Sequence, residues 1–129
     1  MVVDTSALVA LMRNESNFQA ISKCIVEAPR LLISAVSVLE TRMVLTRWPS
    51  IAEKFDRFLQ LAGARTVPAD EAICAGAFEV FAKFGKGRHP AALNICDCIS
   101  FATAVAYGEP LLFVGDDFAK AGLVRLIEA

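Results

Sequence analysis

The sequence has no excess of positive charge. Its 13 Lys and Arg stand against 14 Asp and Glu, a formal net charge of -1, which excludes a protein that coats nucleic acid by bulk charge. An enzyme that touches nucleic acid through one local patch stays open. A long apolar run is missing too. The longest stretch without a charged residue, 98–108, has 11 residues, against the roughly 20 that a membrane-spanning helix needs. No basic segment precedes an apolar one near residue 1, so no secretory signal is read. Cysteine is sparse: of Cys24, Cys74, Cys96 and Cys98 only the last two lie close together. A Cys-x-Cys with no second pair and no nearby histidine makes a poor zinc site, and all four read as reduced small hydrophobes in a cytoplasmic protein. Gly85 and Gly87 lack the spacing of a nucleotide-binding fingerprint.

What is present is apolar. With 56% hydrophobic and 21% charged residues over 129 positions, residues 1–129 read as one compact domain. Short apolar runs at 1–3, 31–33, 66–67, 111–114 and 124–127 predict strands. Helical spacing predicts helices over 5–12, 14–28, 37–48, 51–62, 69–84 and 94–107, with Pro29, Pro49, Gly63 and Gly108 as stops. Strands alternating with helices imply an α/β fold, a mostly parallel central sheet with helices on both faces.

Such a sheet gathers ligands beyond the carboxyl ends of its strands. Asp4 ends the first strand and Asp116 follows the strand at 111–114. Glu40 and Asp97 stand in the first turns of the helices at 37–48 and 94–107. Helix starts that follow strands share that rim, so all four acids can reach one cleft. Two unit charges about 4 Å apart repel by roughly 4 kcal/mol at the effective dielectric near a protein surface. A divalent ion removes that penalty, and magnesium or manganese favours carboxylates while keeping positions open for phosphate oxygens. Hydrolysis of a phosphodiester is the chemistry expected.

Each acid also has a plainer reading. Asp4 fits an N-cap, Ser37-Val38-Leu39-Glu40 matches a capping box, and Asp116 with Asp117 fits an ordinary turn. Asp97 is hardest to account for in that way, being the only charge between Arg88 and Glu109. Just before its helix, Lys83, Lys86, Arg88 and His89 form a basic loop suited to a phosphate backbone, with Lys86, Arg88 and His89 the candidate RNA contacts. Followed by Pro90, His89 is expected to hold structure or touch phosphate. Thr5 and Ser6 read as caps rather than nucleophiles, since no histidine is near them in sequence.

Together these segments resemble a PIN-domain ribonuclease, in particular a VapC-type toxin of a bacterial or archaeal toxin–antitoxin pair. The resemblance rests on Val3-Asp4-Thr5-Ser6-Ala7-Leu8, the helix with Glu40, Gly85-Lys86-Gly87-Arg88-His89-Pro90-Ala91 through Leu93-Asn94, Asp97-Cys98, and Leu111-Leu112-Phe113 with Gly115-Asp116-Asp117-Phe118. It implies an endoribonuclease that uses Mg2+ or Mn2+. Asp4, Glu40, Asp97 and Asp116 would be its catalytic acids, with Asp4, Asp97 and Asp116 on the metal, Asp117 as an auxiliary acid and Thr5 or Ser6 as hydroxyl support. It further implies cleavage of structured RNA, often a transfer RNA, inhibition of translation, a homodimer, and a cognate VapB-type antitoxin. Two departures stand out. Cys96 occupies a position where the family often has Gly, and Val114 one where it often has a hydroxyl residue, which leaves Asp116 and Asp117 as alternatives for the fourth acid.

Two rivals remain at this point. A phosphoryl-transfer α/β domain of the phosphatase kind needs a second Asp two residues after Asp4, where Ser6 stands; a receiver needs a lone Asp ending a central strand and a late Lys, which Asp97 in a helical stretch fits poorly. A PIN-like RNA- or antitoxin-binding module without catalysis is the non-enzyme rival, and the presence of all four acids argues against it.

Overall fold

Val2 and Val3 are both fully buried, which two successive strand residues achieve only when both faces of their sheet are covered. They form β1 (Val2–Val3) in the computed structural model, which describes residues 1–127. Parallel partners lie on both sides: β2 (Leu32–Ser34) and β4 (Leu111–Leu112), with β3 (Arg65–Val67) beyond β2, in the order β3-β2-β1-β4. The period of two divides the core. Val2, Leu32 and Leu111 enter one cluster with α5 (Glu71–Phe84) and α6 (Ile95–Tyr107). Val3, Ile33 and Leu112 enter the other with α1 (Thr5–Met12), α2 (Phe18–Glu27) and α4 (Pro49–Leu61). An α/β sheet covered on both faces is therefore observed, as the alternation of elements predicts. None of the described helices is long and apolar enough to cross a membrane.

Four expectations need correction. The strand expected at 124–127 does not form: Val124 is 78% exposed, and only Ile127 turns into the core, so no alternating face is buried. The helix expected from residue 14 begins at Phe18, because Asn14 takes a left-handed φ of 51° and the chain turns before it can wind. The strand at 111–114 closes after Leu112. The fourth correction bears on the site. Helix α3 (Ala35–Leu45) starts directly from β2, capped by Ser34 through the Val36 amide at 3.2 Å. Ser37 thus lies inside the helix, no Ser37–Glu40 capping box exists, and Glu40 sits in the second turn rather than the first. Pro49 opens α4 as its first residue, where a missing N–H costs nothing.

Candidate active site

β1 delivers Asp4 to the carboxyl rim of the sheet, where its extended backbone (ψ 158°) makes it the N-cap of α1. The carboxylate is almost fully enclosed, 3% exposed. Its Oδ2 accepts from the Ser6 amide at 2.9 Å and the Ser6 hydroxyl at 2.7 Å, and its Oδ1 accepts from Ser100 Oγ at 2.7 Å. Burial pushes this carboxyl above its ordinary value; the Ser100 and Ser6 donors oppose the shift, and the Glu40 charge adds to it. Ser6 Oγ in turn accepts from the Val114 amide at 3.1 Å, tying the segment that follows β4 to the start of α1.

Asp97 comes from α6, which the sequence places well but explains incompletely. Asn94 is the N-cap, and the pair exchanges hydrogen bonds: the Asp97 amide donates to Asn94 Oδ1 and the Asn94 amide to Asp97 Oδ2, each at 2.9 Å. A capping box is present in this protein, then, at Asn94–Asp97 rather than Ser37–Glu40. It uses one carboxylate oxygen, and among the described residues no cationic side chain pairs with Asp97. Burial raises the Asp97 carboxyl to about 6, the Asn94 amide pulls it down, and the charges of Asp4, Asp117 and Glu40 push it up. Three carboxylates from three other parts of the chain thus act on Asp97.

Glu40 is half-buried and lines a cleft of about 540 Å³ with Val36, Leu39, Met43, Val44, Arg47 and Cys96. The Cys96 thiol is pushed up to about 12 by burial, by hydrogen bonding to Glu40 and by the charges of Glu40, Asp97 and Asp4. The two candidates for the fourth acid part company. Asp116 is exposed and paired with Arg125; Asp117, first residue of α7 (Asp117–Lys120), is the one whose charge reaches Asp97. The acids approach one another without closing: among the described residues no three His, Cys, Asp or Glu side chains already form a ligand set. Thr5, next to Asp4, keeps a buried hydroxyl without a hydrogen-bond partner among the described residues.

Comparison with known proteins decides the family. The PIN domain profile matches residues 1–123. This chain belongs to the PIN-domain family. Ribonuclease VapC28 of Mycobacterium tuberculosis is 37% identical over 131 residues, covering 99% of this chain and 98% of that protein. Ribonuclease VapC of Mycolicibacterium smegmatis is 37% identical over 120 residues, covering 92% and 93%. Among solved structures, Mycobacterium tuberculosis VapC20, described as a Sarcin-Ricin loop cleaving toxin, has a TM-score of 0.78 at 20% identity, covering 99% of this chain and 98% of its own. A toxin-antitoxin complex from Klebsiella pneumoniae matches with a TM-score of 0.75 at 18% identity, again over 99% and 98%. The resemblance to VapC proteins holds along the chain, and the phosphatase and receiver rivals fall away.

In this PIN domain the basic loop is a built turn. Lys86 donates its amide to Leu93 O, and Leu93 its amide to Phe84 O, each at 3.0 Å, which closes the loop at its base. Gly85 is required there, since a Cβ would collide with the ring and carbonyl of Phe81. His89 Nδ1 accepts from the Ala91 amide at 3.0 Å and its ring meets Phe84 edge-on at 5.2 Å, so one imidazole nitrogen is committed to holding the loop. Arg88 lies over the Phe81 ring at 5.4 Å. Lys83, Lys86 and Arg88 are exposed and enter no ion pair among the described residues.

Sequence reasoning gave Ser100 no place in the site, read Ser37 only as a helix cap and noted Cys96 only as a departure from the family's usual Gly. A signal for the serines was available: Ser37 stands three residues before Glu40, and Ser100 three after Asp97, the spacing that puts two side chains on one face of a helix.

Proposed function

We propose that this PIN domain is a Mg2+- or Mn2+-dependent endoribonuclease, the toxin of a toxin–antitoxin pair, acting on structured RNA such as a transfer RNA and thereby inhibiting translation. The observation that carries the reading is the convergence on Asp97 of the charges of Asp4, Glu40 and Asp117, each delivered by a different part of the chain. Such a gathering of like charge is costly unless a cation joins it. The donor set fits: carboxylate oxygens suit a hard divalent ion, and the orphan Thr5 hydroxyl supplies one further oxygen near Asp4.

Asp4 and Asp97 would hold the ion, with Glu40 and Asp117 completing the acidic shell. When bound, such an ion activates water and offsets the charge that builds at a scissile phosphate. The chain's own residues do the positioning. Ser6 and Ser100 fix both oxygens of Asp4, the Asn94 amide fixes one oxygen of Asp97, and Lys86 and Arg88 are available to grip the RNA backbone. His89, anchored through Nδ1, supports that loop and offers its other nitrogen to phosphate. Exposed Leu39 and Met43 beside Glu40 support a covered face, and the proposal includes a homodimer, a cognate VapB-type antitoxin and a cytoplasmic location.

Purified protein free of antitoxin is expected to cut a labelled structured RNA with Mg2+ or Mn2+ and to stop when EDTA is added. Cleavage that continues undiminished in EDTA would overturn the metal reading. The fourth acid is tested in the same assay. Asp117→Asn is expected to slow cleavage by about 10- to 100-fold, whereas Asp116→Asn, which loses only an exposed pair with Arg125, should stay near the parent rate. The reverse ranking would return the role to Asp116.

A further inference from the structure

Behind the acids lies a chain of buried hydroxyls. Ser100 Oγ donates to Asp4 Oδ1 at 2.7 Å, and Ser37 Oγ lies 3.1 Å from Ser100 Oγ. Both serines are buried, Ser37 at 1% and Ser100 at 0% exposure. A hydroxyl carries a single proton. Ser100 gives its proton to Asp4, so the second contact is donated by Ser37, and the chain runs one way: Ser37 to Ser100 to Asp4.

The chain also joins the elements that carry the acids. Ser37 precedes Glu40 by three residues on α3, and Ser100 follows Asp97 by three on α6, so each serine sits one turn from an acid on the same side of its helix. The Ser37–Ser100 contact bridges the two helices at that level, and the hydrogen-bond chain ends on Asp4. Other buried hydroxyls on these helices behave differently. Thr41 donates to the Ser37 carbonyl and Thr103 to the Ile99 carbonyl, each at 2.7 Å, the local route by which a helical hydroxyl satisfies itself. Ser37 and Ser100 instead reach across the fold. Two buried hydroxyls cost desolvation that an apolar pair would not incur.

Resting on the proposed metal-dependent activity, we infer that Ser100 and Ser37 are positioning residues, a lock that sets the orientation of Asp4 and the spacing of the Glu40 and Asp97 helices for a divalent cation. Their effect reaches the ion through Asp4, in the manner of the outer partners that orient metal ligands generally.

Mn2+ titration of the chelator-treated protein, followed by electron paramagnetic resonance, tests the lock without reference to RNA. Ser100→Ala is expected to weaken Mn2+ binding by about 10- to 100-fold, Ser37→Ala less and in the same direction, and Ser100→Thr, which keeps the hydroxyl, to recover most of the loss. Thr103→Val, which removes a buried hydroxyl that does not touch Asp4, should leave Mn2+ affinity unchanged. Parental affinity in Ser100→Ala, or an equal loss in Thr103→Val, would overturn the lock while the metal site stands. Absence of Mn2+ binding in the parent would overturn the metal reading and the lock with it. If Ser100→Ala does not fold by circular dichroism, Ser37→Ala decides: weakened binding in a folded protein supports the lock, and unchanged binding overturns it.

Discussion

Asp4→Asn is expected to slow RNA cleavage by at least about 100-fold while the protein stays folded. Asn and Asp are equivalent as N-caps, so α1 keeps its start. The amide oxygen can stay where Oδ2 stands and accept from the Ser6 amide and hydroxyl. The amide nitrogen then faces Ser100 and donates to it, and the Ser100 proton turns toward Ser37, reversing the hydroxyl chain without breaking it. What disappears is the charge. Because burial already disfavours the ionised form of Asp4, the variant's metal-free melting temperature should equal or exceed that of the parent. Cleavage of a labelled RNA at saturating Mn2+, measured beside the melting curve, checks both halves. A folded variant that cuts as fast as the parent would remove Asp4 from the chemistry, and a variant that unfolds would show that its charge is needed for the fold.

The elements that hold this site were legible where local chemistry decides them. Residues 5–12 form the predicted helix to the residue, because Asp4 caps it and apolar residues run on to Met12. Val2, Val3, Leu32, Ile33, Leu111 and Leu112 announce buried parallel strands by composition alone. What stayed hidden depends on where one element hands over to the next. Ser37 reads as the cap in sequence, and only the immediate passage from β2 into α3 makes Ser34 the cap and moves Glu40 into the second turn. Asn94–Asp97 was overlooked as a capping box because its residues are the less usual pair for that exchange. Asp116 and Asp117 differ by one residue, and their separation, one toward Arg125 and one toward Asp97, is set by how the turn after β4 enters α7. Residues 124–127 have the composition of a strand, but Val124 stands in solvent and no alternating face is buried, and apolar composition without a partner does not make a strand.

The metal-free protein is expected to melt higher at pH 5 than at pH 7.5, and saturating Mn2+ to reverse the order. The Asp97 carboxyl lies at about 6 in the folded protein against an ordinary value of 3.8, burial being the largest cause. A carboxyl raised by folding binds its proton more tightly in the native state. Its contribution is therefore fully present below the unfolded value of 3.8 and is lost as pH rises through about 6. Asp4, shifted in the same direction, adds to the trend. Glu109, held below its ordinary value by hydrogen bonds from the amino terminus and Arg30, opposes it only as pH falls toward 4.5, below this window. After discounting for the partial exposure of Asp97, the difference between the two pH values is about 1 kcal/mol, on the order of 4 °C in melting temperature. Mn2+ requires the ionised acids, so its stabilisation is greatest at pH 7.5 and falls away as Asp97 and Asp4 take up protons; at one hundred times its dissociation constant it amounts to about 2.7 kcal/mol. In Asp97→Asn the metal-free curve should flatten and the Mn2+ increment should shrink at both pH values. A metal-free melting temperature that falls between pH 7.5 and pH 5 would contradict the shift assigned to Asp97. An Mn2+ increment independent of pH would place the ion on groups other than these carboxylates.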